Sequence, residues 1–174
     1  MARIFIFNII RFVILIVLQV AVFKNIGYYN IAALFPYILI ILLLPTGTPN
    51  FLLFLLAFLT GLTVDAFYDS MGVHASACVA LAWFRIFFHK ITLDMEELSS
   101  FQTPTWGNMG FKWFSAYLLL GTLVHHLVLF FTEIFSFQNI LYTLASIFFS
   151  TLFTVAVILI ISLITYNRKS RLAN

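Results

Sequence analysis

The side chains able to do chemistry in this sequence are few and lie in apolar surroundings: Gln19, Asp65, Arg85, His125 and His126, with Asp69, His74 and Glu133 near the ends of apolar runs. A carboxylate with several imidazoles is a donor set for zinc or a route for protons. The spacing argues against both, because there is no His-Glu-x-x-His and no histidine pair at i, i+4. His125 and His126 are adjacent and point about 100° apart on a helix, which makes it hard for both to serve one site. Gly-x-Ser-x-Gly, the phosphate-cradling Gly-x-x-x-x-Gly-Lys-Ser/Thr, and Ser/Lys or Cys/His arrangements at useful spacing are missing, so the chain is not expected to be an enzyme. Cys78 is the one cysteine, which excludes an intrachain disulfide and a thiolate metal site. No cofactor or metal is expected.

What remains for these groups is hydrogen bonding within lipid. An Asp or Arg at a helix centre costs about 2.5–3.5 kcal/mol on insertion scales, so each needs a partner. Gly61, Asp65 and Asp69 follow at i, i+4 and i+8 and share one helix face, with Gly61 admitting a close neighbour. Gln19, Asp65 and His125 each lie about 14 residues beyond a helix start, roughly 21 Å along, and reach similar depth. The expectation is a bond from Asp65 across helices to His125 or Gln19. Arg11 either snorkels to the interface or faces a partner inside the bundle. Arg85 and Lys112 snorkel to the inner headgroups, with pairing to Glu96 or Glu97 as the alternative. His74 is expected to be solvated, and Trp83, Trp106 and Trp113 to be interfacial anchors.

The elements that must position these residues follow from composition. The chain has 174 residues, 63% of them hydrophobic and 9% charged, with a mean hydropathy of +1.10. Soluble domains carry about 45–50% apolar and about 25% charged residues, so a water-soluble globule and a disordered chain are both excluded. Apolar runs between polar breaks predict an all-α integral membrane protein, one polytopic domain of six transmembrane helices over about 4–23, 31–44, 51–67, 73–88, 111–131 and 141–166. The alternating pattern of barrel strands is absent. The longest break, 89–110, carries Lys90, Asp94, Glu96 and Glu97 and is read as an exposed loop with one interfacial turn at 94–98. With six spans, Arg3, Arg11, Arg85, Lys90, Lys112 and the tail Arg168, Lys169 and Arg171 fall on one side and Lys24 on the other, which puts both termini in the cytoplasm. The basic tail faces anionic headgroups and needs no nucleic acid. No Ala-x-Ala follows the first run, so it is expected to be a retained anchor.

The stretch Pro45-Thr46-Gly47-Thr48-Pro49, the apolar run into Gly61-Leu62-Thr63-Val64-Asp65, and Gly72-Val73-His74-Ala75 together resemble the signature of the rod shape-determining protein MreD family. Pro36, the chain length, the short-looped spans and the basic tail agree with it. The resemblance implies a bacterial inner-membrane scaffold of the cell-elongation machinery. Such a protein binds the bitopic partner MreC and acts with MreB filaments, RodA and a class B penicillin-binding protein in peptidoglycan synthesis. It implies Gly61, Asp65 and Gly72 as fold or interface determinants, beside Gln19 and His125 from the residues themselves. The charged 94–110 loop departs from the family's short connection. The family is also said to look like the substrate-binding subunit of energy-coupling-factor vitamin transporters, which supplies a runner-up function of small-molecule uptake. Those subunits carry Ala-x-x-x-Ala on the first helix, whereas residues 12–23 contain only Ala21.

Overall fold

The computed structural model describes residues 2–26, 32–93, 102–134 and 139–164. Its regular elements are helices: α1 (Ala2–Ala21), α2 (Leu39–Leu42), α3 (Asn50–Tyr68), α4 (Val73–Thr92), α5 (Trp106–Met109), α6 (Phe111–Ile134) and α7 (Ile140–Ile164), with 3-10 turns at Phe23–Asn25 and Pro36–Ile38. Among the described residues, four stretches are long and apolar enough to cross a bilayer: Ile6–Asn25, Asn50–Tyr68, Phe111–Ile134 and Ile140–Ile164, with mean hydropathies between 1.8 and 2.8. α4 has comparable length, 20 residues, but is more polar. It can be so because its His74, Arg85 and His89 are buried among the other helices. α4 packs between α3 and α6, α6 continues onto α7, and α1 lies along the short α2 segment. Outward-facing side chains such as Phe51 and Leu141, each 80% exposed, are what a lipid solvent tolerates and water does not.

The helix expected over 31–44 does not form as one rod. Residues 33–35 are irregular, a 3-10 turn covers Pro36–Ile38, and α2 supplies only Leu39–Leu42 before the chain leaves the helix at Leu43. Proline explains both limits. The Pro36 ring disfavours the helical region for the residue before it, and Phe35 sits at φ −128°. Pro45 closes the run for a different reason, since a proline has no amide to donate to a preceding turn. Seven helical residues span about 10 Å at 1.5 Å each, a third of a hydrocarbon core of about 30 Å. Phe35 through Leu42 are buried without interruption, as an element apolar on every side must be.

The connection between α4 and α6 is partly described and holds the short α5. The turn expected at 94–98, together with Glu96, Glu97 and the Arg168–Arg171 tail, lies outside the described residues.

α3 and α4 form a tight hairpin. α3 stops where Asp69 turns left-handed at φ +55° and its amide returns to the Asp65 carbonyl; Gly72, at φ +81°, then starts α4. Asp69 is therefore outside the helix and exposed, so it does not continue the face of Gly61 and Asp65. Gly61 is where the two helices touch. A Cβ there would overlap the Ala75 backbone, lying 2.6 Å from its amide nitrogen and in still closer contact with its Cα. Two consequences are measurable by thermal unfolding in detergent. Gly61→Ala must push the helices apart and should cost about 2–3 kcal/mol, as overpacking does. Gly72→Ala meets open space and only a backbone penalty, about 1 kcal/mol.

Candidate functional site

A helix interrupted inside a bundle leaves amides and carbonyls that water cannot reach, and each left unmade costs about 1–3 kcal/mol. The residues around the 32–45 segment answer this need. At its start, the Ala33 amide donates to Ser150 Oγ (2.9 Å) and the Phe35 amide to Thr154 Oγ1 (3.2 Å), both on α7. Gln19 Nε2 on α1 donates to the Leu34 carbonyl (2.9 Å) and to Tyr68 Oη (2.7 Å). At its end, Tyr117 Oη on α6 donates to the Leu42 carbonyl (3.1 Å), and Arg11 Nη2 on α1 to the Leu43 carbonyl (2.8 Å) and to Asn8 Oδ1. Arg85 Nη2 on α4 then takes the Leu44 and Pro45 carbonyls, at 2.6 and 2.9 Å. Cations at the carbonyl end of a helix also complement its dipole. Four helices thus hold one broken strand of backbone, which runs antiparallel to α1 between Gln19 and Arg11.

Asp65 takes a different partner from the one expected. Its carboxylate receives neither Gln19 nor His125. Oδ1 accepts from Ser70 Oγ (2.6 Å), the His74 amide (2.9 Å) and His74 Nδ1 (3.0 Å), while Oδ2 accepts from the Ala75 amide (3.0 Å). This is an N-cap supplied from a neighbouring helix: it satisfies first-turn amides of α4 where Gly72, at the cap position, has no side chain to offer. His74 is consequently buried at 4% exposure, not solvated.

The segment also explains why Gln19, Asp65 and His125 do not meet, although all lie around it. Phe35 and Tyr37 stand between them. Tyr37 Oη is 2.8 Å from His125 Nε2, and the Phe35 ring lies 5.7, 6.2 and 5.4 Å from the rings of His74, His125 and His126. His126, expected to point away from His125, is equally buried. Its Nδ1 is 2.7 Å from the Thr122 carbonyl, so that nitrogen carries the proton and Nε2 faces Thr154 Oγ1 at 3.4 Å. The two histidines still diverge: one holds the segment through Tyr37 and the other supports the threonine that receives the Phe35 amide.

Arg11 faces a partner in the bundle, the second of its two expected placements. Arg85 is 2% exposed and binds carbonyls where snorkelling was expected. Lys112 is exposed in the first turn of α6. Trp83 is 61% exposed, whereas Trp113 is half-buried and donates to Thr92 Oγ1 at 3.0 Å. Sequence reasoning passed over Tyr37, Tyr68, Ser70, Tyr117, Ser150 and Thr154. A signal existed on α7, whose Thr143, Ser146, Ser150 and Thr154 recur at helical spacing and are all buried.

Comparison with protein-family models, curated proteins and solved structures finds no match to this chain.

Removing the caps should destabilise in proportion to the groups orphaned. Asp65→Leu strands the α4 amides and should lower stability by about 3 kcal/mol, with Asp65→Asn, which keeps one acceptor oxygen, losing about half as much. Detergent melting curves measure both. By the same measurement Gln19→Leu and Arg85→Met should each cost about 1–3 kcal/mol, while Lys112→Gln stays within about 0.5 kcal/mol of the parent.

Proposed function

We propose that the chain is a non-enzymatic scaffold of the bacterial inner membrane. In this reading it holds the transmembrane helix of a bitopic partner of the MreC kind and so supports peptidoglycan synthesis by the cell-elongation complex, with MreB filaments, RodA and a class B penicillin-binding protein. The observation that carries the reading is the use made of the residues behind the MreD resemblance. Gly61 brings α3 against α4 and Asp65 caps α4, so the motif makes a rigid hairpin. Gln19, Arg11 and Arg85 hold backbone in the same way, and the interior of the bundle is organised for shape. A vitamin-type uptake subunit would instead need such groups turned to a ligand.

Six passes, with both termini cytoplasmic, remain the topology we propose. The 32–45 segment has too little helix to be a conventional span, but it carries the chain from the Gln19 end of α1 back to the Arg11 end, where α3 begins. Arg11, Arg85, Lys90 and Lys112 then lie towards one side and Lys24 towards the other, in keeping with the positive-inside rule.

Because Gly61 and Asp65 are turned inward, a partner helix has to rest on an outer apolar face. Co-purification in mild detergent with the bitopic partner, followed by mass spectrometry, tests the reading. A stable complex that withstands Lys112→Gln and is lost when Gly61→Ala loosens the hairpin is expected. A retained vitamin-sized molecule, with no affinity for the partner, would refute the scaffold and favour uptake.

A further inference from the structure

At the end of the bundle where α3 begins and α4 finishes, a cavity of about 370 Å³ is lined by Thr46, Thr48, Asn50, Arg85, His89 and Lys90 between apolar walls. That volume falls in the range of small-ligand clefts, about 300–1,000 Å³. Two of its polar side chains are more than nine-tenths buried and each keeps a nitrogen with no hydrogen-bond partner: His89 Nε2, in a residue 6% exposed, and Arg85 Nε, in a residue 2% exposed. Lys90 adds a second positive charge, and no carboxylate among the described residues lines the cavity or pairs with Arg85. The first turn of α3 enters the same space through Asn50 without a side-chain cap, so the positive end of a 19-residue helix dipole is directed there as well. A buried guanidinium N–H without an acceptor, an unpartnered imidazole nitrogen, two cations and an uncapped helix start share one chemical complement.

We propose that this cavity binds a phosphate group, carried by an anionic lipid headgroup or free in solution. Arg85 keeps its Nη2 on the Leu44 and Pro45 carbonyls, so the ligand engages the unpartnered Nε without releasing the segment. His89 lies against the Trp113 and Tyr117 rings, at 5.8 and 5.3 Å, which hold its imidazole in place. The inference does not depend on the scaffold reading.

The full chain in non-ionic detergent is the material for the test, with three variants: His89→Leu, Lys90→Gln and Lys112→Gln. Lys90 is exposed, so its replacement leaves the fold intact; Lys112 is an exposed lysine at the same end but outside the cavity. Native mass spectrometry reads retention of phosphatidylglycerol against phosphatidylcholine, and thermal shift reads inorganic phosphate. Loss of a charge-assisted contact should weaken binding about tenfold in His89→Leu and Lys90→Gln, with Lys112→Gln unchanged. That pattern for phosphatidylglycerol alone assigns the lipid headgroup, and the same pattern for inorganic phosphate assigns the free anion. Binding that does not distinguish the cavity variants from Lys112→Gln, or no binding of either probe, overturns the proposal. The second result would mean that the cavity is closed to exogenous anions.

Discussion

Backbone amides and carbonyls are the constraint from which this structure follows. In water a broken helix is inconsequential, since solvent takes over the freed groups. In hydrocarbon nothing does, and an interruption survives only if other parts of the protein supply the missing partners. Pro36 and Pro45 impose such an interruption in the middle of an apolar chain, and the polar side chains of four surrounding helices are arranged to meet it. Their expense within a membrane is thereby accounted for. Arg11, Gln19, Arg85, Tyr117, Ser150 and Thr154 are caps for a segment that cannot cap itself.

The same physics recurs at the α3–α4 turn. Gly72 gives the chain its left-handed step but no capping oxygen, so Asp65, a turn earlier on the preceding helix, provides it. Reaching across requires the helices to be close, and Gly61 permits that approach. The three residues are one device. A side chain at Gly61 would carry the carboxylate away from the amides it serves, so spacing and cap fail together, and their effects on stability should not be additive.

Much of this was legible in the sequence. Apolar runs gave the all-helical membrane class, and the turn residues at 69–72 marked a hairpin. The requirement for partners on Gln19 and Asp65 is sound, but the partners are misassigned, and Arg85 binds backbone where snorkelling is expected, all for one physical reason. A side-chain reading looks for other side chains, whereas here the acceptors and donors are mostly backbone, which every residue carries and no residue type advertises. The clue to the broken segment was the pair of prolines bounding 36–45. Hydropathy could not reveal it, because a fully buried irregular segment and a spanning helix have the same composition. His74 was misplaced for a related reason: a helix start looks solvated from sequence, and only the Asp65 cap brings that end inside.

Association between helices in lipid lacks the hydrophobic drive available in water, since the tails are as apolar as leucine. A unique arrangement must therefore come from directional bonds and close contacts, and in this protein these converge on the 32–45 segment. It touches α1, α4, α6 and α7, and Gln19 extends the contact through Tyr68 to α3. The outer surface, by contrast, is almost featureless: Ile6, Phe7, Val13 and Val17 on α1, and Phe148, Leu152 and Phe153 on α7, are exposed apolar groups. Such a surface distinguishes a partner helix from lipid only by shape, and shape is useful only if it does not fluctuate. A polar interior that fixes the bundle is then what gives an apolar exterior a constant shape, the one property by which such a surface can tell protein from lipid.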